Sequence, residues 1–329
     1  ELLVENYTGG KIEILGLADE NNRLLFLLED EIYLKAYNQR LADTILNVRY
    51  ISTASQFAFR VVGHREVYYS DISLWKKNTT LSPYQELLRS LNLETCELFE
   101  QRGDSLIVSG VHELTRKILV PKDKVVVFEA GAEVNILNEG TIISHSPLYM
   151  LGTKEQPIKI YSTDTTANAF TVLQAGARSV LNHVVFEDLN TLEYNGWNLT
   201  GAVNFYESDV DITNCSFLKN HCEDALNIIR SDFHVTKSKF EDIYADAFDS
   251  DFCTGLLDFT SFDRVGNDAI DFSTSQIHIE NCEITNIEDK GISGGEGSTL
   301  WVKNTNIINC NIGAASKDLS NVSLENVYQ

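Results

Sequence analysis

Residues 224–231 read DALNIIRS, residues 246–253 read DAFDSDFC and residues 268–275 read DAIDFSTS, so the same motif returns every 22 residues. Two further copies, KGISGGEGS and IGAASKDLS, begin at Lys290 and Ile312. A stretch of alternating apolar residues follows each copy. A period this short cannot hold a pair of helices, but it fits one turn of a parallel β-helix, in which each repeat buries its apolar side chains against its neighbours. The repeat therefore predicts an all-β solenoid in the C-terminal part of the chain.

Three segments are expected along the chain. Residues 1–80 alternate apolar and polar side chains between turn signals rich in glycine and asparagine, which predicts a small β-sandwich-like accessory domain. Residues 81–103 open with Ser82 and Pro83, a pattern typical of a helix start, and predict a linker with a short helix that caps the solenoid. The β-helix itself is expected over residues 104–329.

The charge balance restricts the kinds of partner. The chain has 26 Lys and Arg residues against 48 Asp and Glu residues, a formal net charge of −22. This argues against nucleic acid, whose binding proteins need basic side chains to replace phosphate counterions. Two readings of the charge stay open, namely solubility outside the cytoplasm and cation binding by clustered carboxylates.

The chain shows no apolar run long enough for a transmembrane segment and no recognisable signal peptide. Strand-like sequence begins directly at Glu1, so we expect a mature form or a fragment, and further domains before residue 1 stay open.

Alternation along the repeated strands separates inward from outward side chains. Leu226, Phe248 and Ile270 form an apolar column that is expected to face the core, and the opposite parity then faces outward. Neighbouring rungs lie about 4.8 Å apart, and residues two apart on one strand about 6.7 Å.

Asp249, Asp251 and Asp271 are therefore expected to form a carboxylate triangle on one outer face. Like charges this close call for a bound cation, a basic partner or a protonated carboxyl. These three residues are the candidate catalytic groups, and they are also the candidate ligands if Ca²⁺ binds.

Six further residues are candidates for substrate binding. Asn227 shares the outward column, basic residues are expected on neighbouring rungs, and the excursion 189–201 is expected either to border a groove or to cover a rung with apolar side chains. The six candidates are Arg230, Asn227, Lys290, Glu296, Lys317 and Trp197.

A second acidic column precedes the small residues at the turn of each rung. Asp224, Asp246 and Asp268 occupy this place, where a carboxylate most simply accepts hydrogen bonds from turn backbone. We expect this column to be architectural.

The coil over residues 104–329 resembles the pectate-lyase-like superfamily of right-handed parallel β-helices, which includes polygalacturonases, uronate lyases and mannuronan epimerases. The segments DAFDSD and NDAID are similar to the paired-Asp rungs of the polygalacturonase-type hydrolases, and the resemblance places Asp249, Asp251 and Asp271 at comparable positions. The Gly-His-Gly and Arg-Ile-Lys motifs of those enzymes and the Asp-Pro-His-Glu motif of the epimerases are absent. The whole run from DALN to IGAASKD is most similar to bacterial β-helix repeat proteins of unassigned activity.

Two functional hypotheses follow. The first is a secreted, periplasmic or cell-surface protein that acts on an acidic polysaccharide containing uronic acid, by hydrolysis or by lyase-type chemistry at the carboxylate cluster. The second is a non-catalytic glycan-binding or structural surface module, in which Ca²⁺ or hydrogen bonds hold the Asp columns. Whether the protein is an enzyme stays open at this stage.

Overall fold

The computed structural model describes residues 2–36, 42–46, 53–72, 97–194 and 197–328. All regular structure in these ranges is β. The chain divides into two compact units, Glu1–Thr80 and Leu81–Gln329. The capping helix expected from Ser82 onward lies outside the described residues. None of the described segments forms a helix with the length and hydropathy needed to span a bilayer.

The first unit consists of antiparallel strands. They are β1 (Leu2–Asn6), β2 (Ile12–Ala18), β3 (Leu24–Leu34), β4 (Ala42–Leu46), β5 (Gln56–Val61) and β6 (Tyr68–Asp71). A four-stranded sheet has the order β3-β2-β5-β6, and β1 pairs with β4 in a second sheet. Val4 on β1 shares one buried apolar cluster with Ile12 and Ile14 on β2 and Leu34 on β3. Both sheets thus contribute to one core.

The second unit is a parallel solenoid, as the repeat predicted. Its strands are β7 (Glu100–Arg102), β8 (Ser105–Val108), β9 (Val111–Leu114), β10 (Lys117–Val120), β11 (Val125–Phe128), β12 (Glu133–Ile136), β13 (Thr141–Ser144), β14 (Leu148–Leu151), β15 (Ile158–Tyr161), β16 (Phe170–Leu173), β17 (Ser179–Asn182), β18 (Val184–Glu187), β19 (Leu192–Tyr194), β20 (Trp197–Leu199), β21 (Gly201–Tyr206), β22 (Val210–Thr213), β23 (Ser216–Leu218), β24 (Asp224–Ile229), β25 (Asp232–Thr236), β26 (Lys239–Ile243), β27 (Asp246–Asp251), β28 (Thr254–Asp258), β29 (Ser261–Val265), β30 (Ile270–Ser273), β31 (Gln276–Glu280), β32 (Glu283–Gly295), β33 (Thr299–Lys303), β34 (Asn306–Ser316) and β35 (Asn321–Glu325).

Each rung contributes one strand to each of three faces. The motif face holds the repeated Asp-Ala strands and runs β10-β13-β16-β21-β24-β27-β30 and then the second half of β32. The stripe face runs from β8 to β35 through β11, β14, β17, β22, β25, β28, β31 and β33. The third face runs from β9 through β12, β15, β18, β23, β26 and β29 to the first half of β32.

Tight corners explain why the period is only 22 residues. In the rung that begins at Asp224, the corner residues Arg230, Lys237 and Asp242 adopt left-handed backbone with φ of 50°, 50° and 57°. One such residue turns the chain sharply, and Asn, which tolerates this conformation well, occupies several equivalent corners in other rungs. Three short strands and three such corners complete one rung.

A column of stacked aromatic rings fills the core of the solenoid. Phe186, Phe217, Phe240 and Phe262 lie on successive rungs, with ring centroids 5.3, 4.5 and 4.8 Å apart. All four side chains are fully buried. Burial of one such side chain contributes about 1.5–3 kcal/mol, so the repeat is stabilised rung by rung through like-on-like stacking.

The described cysteines are free thiols that take part in the corners. The Cys253 amide donates to the Ser275 hydroxyl, and the Ser275 amide donates to the Ser298 hydroxyl, at 3.0 and 3.1 Å. The Cys253 thiol donates to the Asp251 carbonyl, two residues earlier, as the Ser275 hydroxyl does to Ser273. Cysteine therefore replaces serine in a ladder of corner hydrogen bonds.

Candidate functional site

Strand pairing on the motif face brings the candidate residues into two adjacent outward columns. Asn227 on β24 pairs with Asp249 on β27, which pairs with Asp271 on β30. Asp251 lies two residues beyond Asp249 on the same strand, between Ile229 and Ser273 of the neighbouring rungs. These are the columns expected from the alternation. When parallel strands pair in register, residues at equivalent positions point to the same side of the sheet on every rung.

The face is outward but poorly solvated. Asn227 is only 2% exposed, and the side chains of Asp249, Asp251 and Asp271 are half-buried. The residues between them in sequence, such as Phe248 and Ser250, are fully buried toward the core. A carboxylate in this position loses hydration on one side, which disfavours its charged form.

Asn227 joins the outward column to the turn column. Its Nδ2 donates to Asp249 Oδ2 at 3.1 Å, to Asp224 Oδ2 at 2.9 Å and to Thr200 Oγ1 at 3.0 Å. Its Oδ1 is buried and accepts no hydrogen bond from any described residue, and the same holds for Asp271 Oδ1. A buried acceptor without a donor is costly.

Burial and mutual repulsion raise the pKa of several carboxyls here. Burial raises the pKa of Asp249 well above its ordinary value, and the charges of Asp224, Asp251 and Asp271 raise it further. Burial, followed by the charge of Glu296, raises the pKa of Asp251 to about 6. Burial also raises the pKa of Asp224, to about 7. The cluster thus favours protonated carboxyls more than solvated aspartates do.

Asp271 differs from Asp249 in having basic neighbours. Burial raises its pKa as well, but the neighbouring Ser293 hydroxyl and then the charges of Lys317 and Lys290 act in the opposite direction. Of the two paired carboxyls, Asp271 therefore gives up its proton more readily than Asp249. Environments that separate the pKa values of two adjacent carboxyls are typical of acid–base sites.

The turn column behaves largely as architecture, as expected. Asp246 Oδ1 accepts a hydrogen bond of 2.8 Å from the Asp268 amide on the next rung, and Asp268 Oδ1 accepts one of 3.0 Å from the Lys290 amide. Asp224 breaks the pattern, because its carboxylate is bonded to the side chain of Asn227. Among the described residues, no backbone amide donates to the carboxylates of Asp249, Asp251 or Asp271, so these three do not form such a ladder.

Two basic candidates are engaged elsewhere. Lys290 Nζ contacts Asp268 at 3.1 Å and also binds Asp289, and its side chain is only 17% exposed. The Arg230 guanidinium bonds the Tyr206 hydroxyl and lies 3.5 Å from Glu207 Oε1. The structure therefore directs both charged groups to carboxylates and hydroxyls outside the triangle. A role for either in holding a substrate carboxylate stays a prediction.

Glu296 and Lys317 lie at the end of the motif face near the last rungs. The Glu296 carboxylate accepts a hydrogen bond from the Ser273 hydroxyl, next to Asp251 in its column. Lys317 is exposed just after β34, and its amide donates to the Gly294 carbonyl. Lys317 is the substrate-binding candidate whose charge acts on Asp271 from a solvent-exposed position.

Trp197 belongs to an apolar cover rather than to the border of a groove. The hairpin of β19 and β20 packs on the outer side of the motif face, where Leu192 joins a buried cluster with Ile143 and Leu173. Trp197 lies half-buried against that cluster. Both readings of the excursion 189–201 find support, because Leu192 and Trp197 cover the motif face and Asn190, Thr191 and Glu193 line a groove.

No group of three or more His, Cys, Asp or Glu side chains within the described ranges is arranged to hold a metal ion. Strand pairing makes Asp249, Asp251 and Asp271 neighbours on the motif face, but their carboxylates are not arranged as a set of metal ligands. Ca²⁺ binding by Asp249, Asp251 and Asp271 stays a prediction.

Sequence reasoning missed the inclusion of Asp224 in the site. It assigned Asp224 to the turn column because of its place in the repeat, whereas the side chain of Asn227 connects it to Asp249. A signal was present in the sequence, because Asn204 and Asn227 precede the aspartates in one column. An amide beside carboxylates is a donor for both of them.

Neither a protein-family model nor a curated protein matches the chain. Among solved structures, the catalytic unit of the GH87 α-1,3-glucanase from Streptomyces thermodiastaticus strain HF3-3 is similar at 8% identity and a TM-score of 0.25, with 99% of this chain and 89% of that chain covered. A mutant of the periplasmic alginate epimerase AlgG is similar at 10% identity and a TM-score of 0.22, with 70% and 79% covered. The catalytic domain of a GH87 α-1,3-glucanase in complex with tetrasaccharides is similar at 9% identity and a TM-score of 0.21, with 98% of this chain and 90% of that chain covered. At these scores the function has to be argued from the residues of this chain.

Proposed function

We propose that the protein cleaves a polysaccharide by acid–base chemistry on the motif face. Asp249 is the general acid that protonates the leaving oxygen, and Asp271 is the base or nucleophile. The observation that carries the proposal is the direct pairing of these two carboxyls on neighbouring rungs in environments that separate their pKa values. Glycoside hydrolysis needs one protonated and one ionised carboxyl side by side.

The surroundings suit these roles. Burial and the carboxylates around it favour the protonated form of Asp249, which is the form that a general acid needs. Asp271 is ionised more readily because the Ser293 hydroxyl and the charges of Lys317 and Lys290 favour its ionised form.

The spacing of the carboxyls predicts the stereochemical course. Neighbouring rungs are about 4.8 Å apart, which is close to the separation of about 5–5.5 Å in retaining enzymes. If Asp251 were the base, the separation of about 6.7 Å along the strand would fall in the inverting range of about 6.5–9.5 Å. The Asp249 and Asp271 pair therefore favours retention, and analysis of the product anomer by NMR distinguishes the two partners.

The acidic substrate is the finer part of the proposal. A uronate would enter a face that already carries several carboxyls, and Lys317 supports its binding as the exposed cation beside Asp271. A neutral glycan needs no such compensation. A polysaccharide of either kind implies an extracytoplasmic location, which we propose as secreted, periplasmic or at the cell surface.

The test is an activity screen in which neutral and uronate polysaccharides are incubated with the wild-type protein and with the Asp249→Asn and Asp271→Asn variants. Both hydrolysis and lyase cleavage release reducing ends, and absorbance of unsaturated products identifies the lyase reaction. We expect release of reducing ends by the wild type alone. If the wild type cleaves neither class, the enzymatic proposal is wrong.

A second candidate function is a non-catalytic glycan-binding or structural module. It is favoured by the engagement of Arg230 and Lys290 with other carboxylates and by the hydrogen-bonded turn column of Asp246 and Asp268. In this case the carboxylate triangle would take up Ca²⁺, and the cation would stabilise the fold without any turnover.

A further inference from the structure

The stripe face, which is a different sheet from the motif face, carries an exposed column of ring and apolar side chains. His234 on β25 pairs with Leu256 on β28, which pairs with His278 on β31, and His278 pairs with Trp301 on β33. The rings of His278 and Trp301 are stacked, with centroids 4.6 Å apart and an angle of 16° between planes. Trp301 is 39% exposed. We call these four residues the ring column.

Polar side chains accompany the ring column on both sides. Thr254 and Gln276 lie on one side and Glu280 on the other, and together with the column they line a shallow groove of about 440 Å³. The side chains of Gln276 and Glu280 form no hydrogen bond with other described residues. A flat apolar strip with hydrogen-bonding groups along its edges suits a ligand that has an apolar face and a polar rim.

The charges around the groove select an uncharged ligand. The Asp232 carboxylate, at the edge of the groove, is neutralised by Arg178, and Arg178 also binds Asp211 at 2.8 Å. Lys303, beyond Glu280, is paired with Glu325 at 3.1 Å. The lining thus offers a carboxylate but no uncommitted Lys or Arg among the described residues, which disfavours phosphate and carboxylate ligands.

We infer that the ring column binds a neutral polysaccharide chain. A pyranose ring presents C–H groups on its face and hydroxyls on its rim, which matches the aromatic and polar parts of the groove. The rungs repeat the groove at about 4.8 Å, so a polymer of sugars finds similar contacts on consecutive rungs. The site does not include the carboxylate triangle, so it binds without cleaving and is independent of the proposed activity.

The experiment measures binding of neutral and acidic hexasaccharides by isothermal titration calorimetry. The neutral probes are cellohexaose, laminarihexaose and maltohexaose, and the acidic probe is hexagalacturonate. We compare the wild type with the Trp301→Ala and His278→Ala variants. Tyr244→Ala is the matched control, because Tyr244 is an aromatic residue that is 73% exposed and lies outside the groove.

We expect at least one neutral hexasaccharide to bind the wild type, with the affinity lowered at least about tenfold by Trp301→Ala, the loss of a central stacking anchor. His278→Ala weakens binding in the same direction, and Tyr244→Ala leaves it unchanged. The titrations are repeated in the Asp249→Asn background, so that any turnover at the motif face does not consume the probe. Unaltered thermal unfolding of the variants shows that they are folded.

Three results would overturn the inference. The first is that no neutral probe binds the wild type. The second is equal affinity of wild type and Trp301→Ala for a probe that does bind. The third is binding of hexagalacturonate alone, which would point to a cationic site elsewhere.

Discussion

The side-chain amide of Asn227 donates a hydrogen bond of 3.1 Å to the carboxylate of Asp249 on the next rung. The same nitrogen donates to Asp224, which is 3% exposed. A single neutral donor therefore stabilises two carboxyls that burial drives toward their protonated forms. This link between an architectural column and the outward column distinguishes the motif face from an ordinary hydrogen-bonded ladder.

Replacement of either paired carboxyl should abolish cleavage. We expect Asp249→Asn and Asp271→Asn each to lower kcat by about 10²–10⁴-fold, because each amide removes one partner of the acid–base pair without much change in size. Initial rates of reducing-end release measure the effect. Asp123→Asn is the control, since Asp123 is exposed in left-handed backbone that Asn tolerates. Full activity in both variants would exclude the pair from the chemistry.

Removal of the Asn227 amide should change the pH dependence rather than only the rate. Asn227→Ala deletes a donor that stabilises the ionised form of Asp249. The pKa of Asp249 should rise, and the alkaline limb of the kcat/KM profile should move to higher pH, because the acid keeps its proton longer. A variant that is slower with an unchanged profile would show that Asn227 contributes only structure.

The buried Asp224 should make the protein less stable as pH rises. Its pKa is about 7 in the fold and about 3.9 in an unfolded chain, so the folded state binds more protons between these values. The stability that this difference confers is complete below about pH 4 and is lost as pH rises to about 7. Asp246 and Asp251, whose pKa values are about 6, act in the same direction.

Asp224→Asn should therefore stabilise the protein at pH 8 relative to wild type by roughly 2–4 kcal/mol, and much less at pH 4. Urea unfolding at the two pH values measures this difference, and Asp123→Asn reports the effect of removing one exposed charge. A stability gain of equal size at both pH values would contradict the assignment of the effect to the protonation of Asp224.

The aromatic column should be the most sensitive part of the core. Phe240 stacks between Phe217 and Phe262 with centroids 4.5 and 4.8 Å away, so Phe240→Ala leaves a cavity and should cost about 3–5 kcal/mol. Phe259→Ala is the control, because Phe259 is 59% exposed at a corner and should change stability by less than about 0.5 kcal/mol. Thermal unfolding of both variants tests this contrast. Similar losses for both would argue against the stack as the source of stability.

The response of thermal stability to calcium should separate the two candidate functions. An ion that binds the folded state at Asp249, Asp251 and Asp271 raises the free energy of unfolding as its concentration rises, whereas acid–base cleavage by Asp249 and Asp271 calls for no bound cation and predicts no such rise. Thermal unfolding in EDTA and in increasing Ca²⁺ measures the response. A Tm that climbs steadily with Ca²⁺ concentration would instead support the non-catalytic, cation-stapled module.

The fold was readable from the sequence because it repeats. A 22-residue period, a motif at a fixed place and alternating apolar residues each predict a parallel β-helix, and the pairing of Asn227, Asp249 and Asp271 follows from the same alignment. The ring column was not identified, because His234, Leu256, His278 and Trp301 differ in type and share only their register. The engagement of Lys290 was missed because nothing in the repeat indicates which neighbour a flexible side chain selects.

The sequence by itself determined the β-helix, the outward parity of Asp249, Asp251 and Asp271 and the architectural place of Asp246 and Asp268, because side-chain alternation and a constant period carry from one rung to the next. Only the tertiary structure decided how deeply each carboxyl is buried and which side chain each one contacts. Those two quantities set the pKa values, since the free energy of a charge depends on its hydration and on neighbours that are distant in the chain. Asp224 and Asp246 occupy the same place in the repeat, yet Asp224 is bonded to Asn227 in the outward column, whereas Asp246 is bonded to the backbone amide of Asp268 and to the side chain of Asn267.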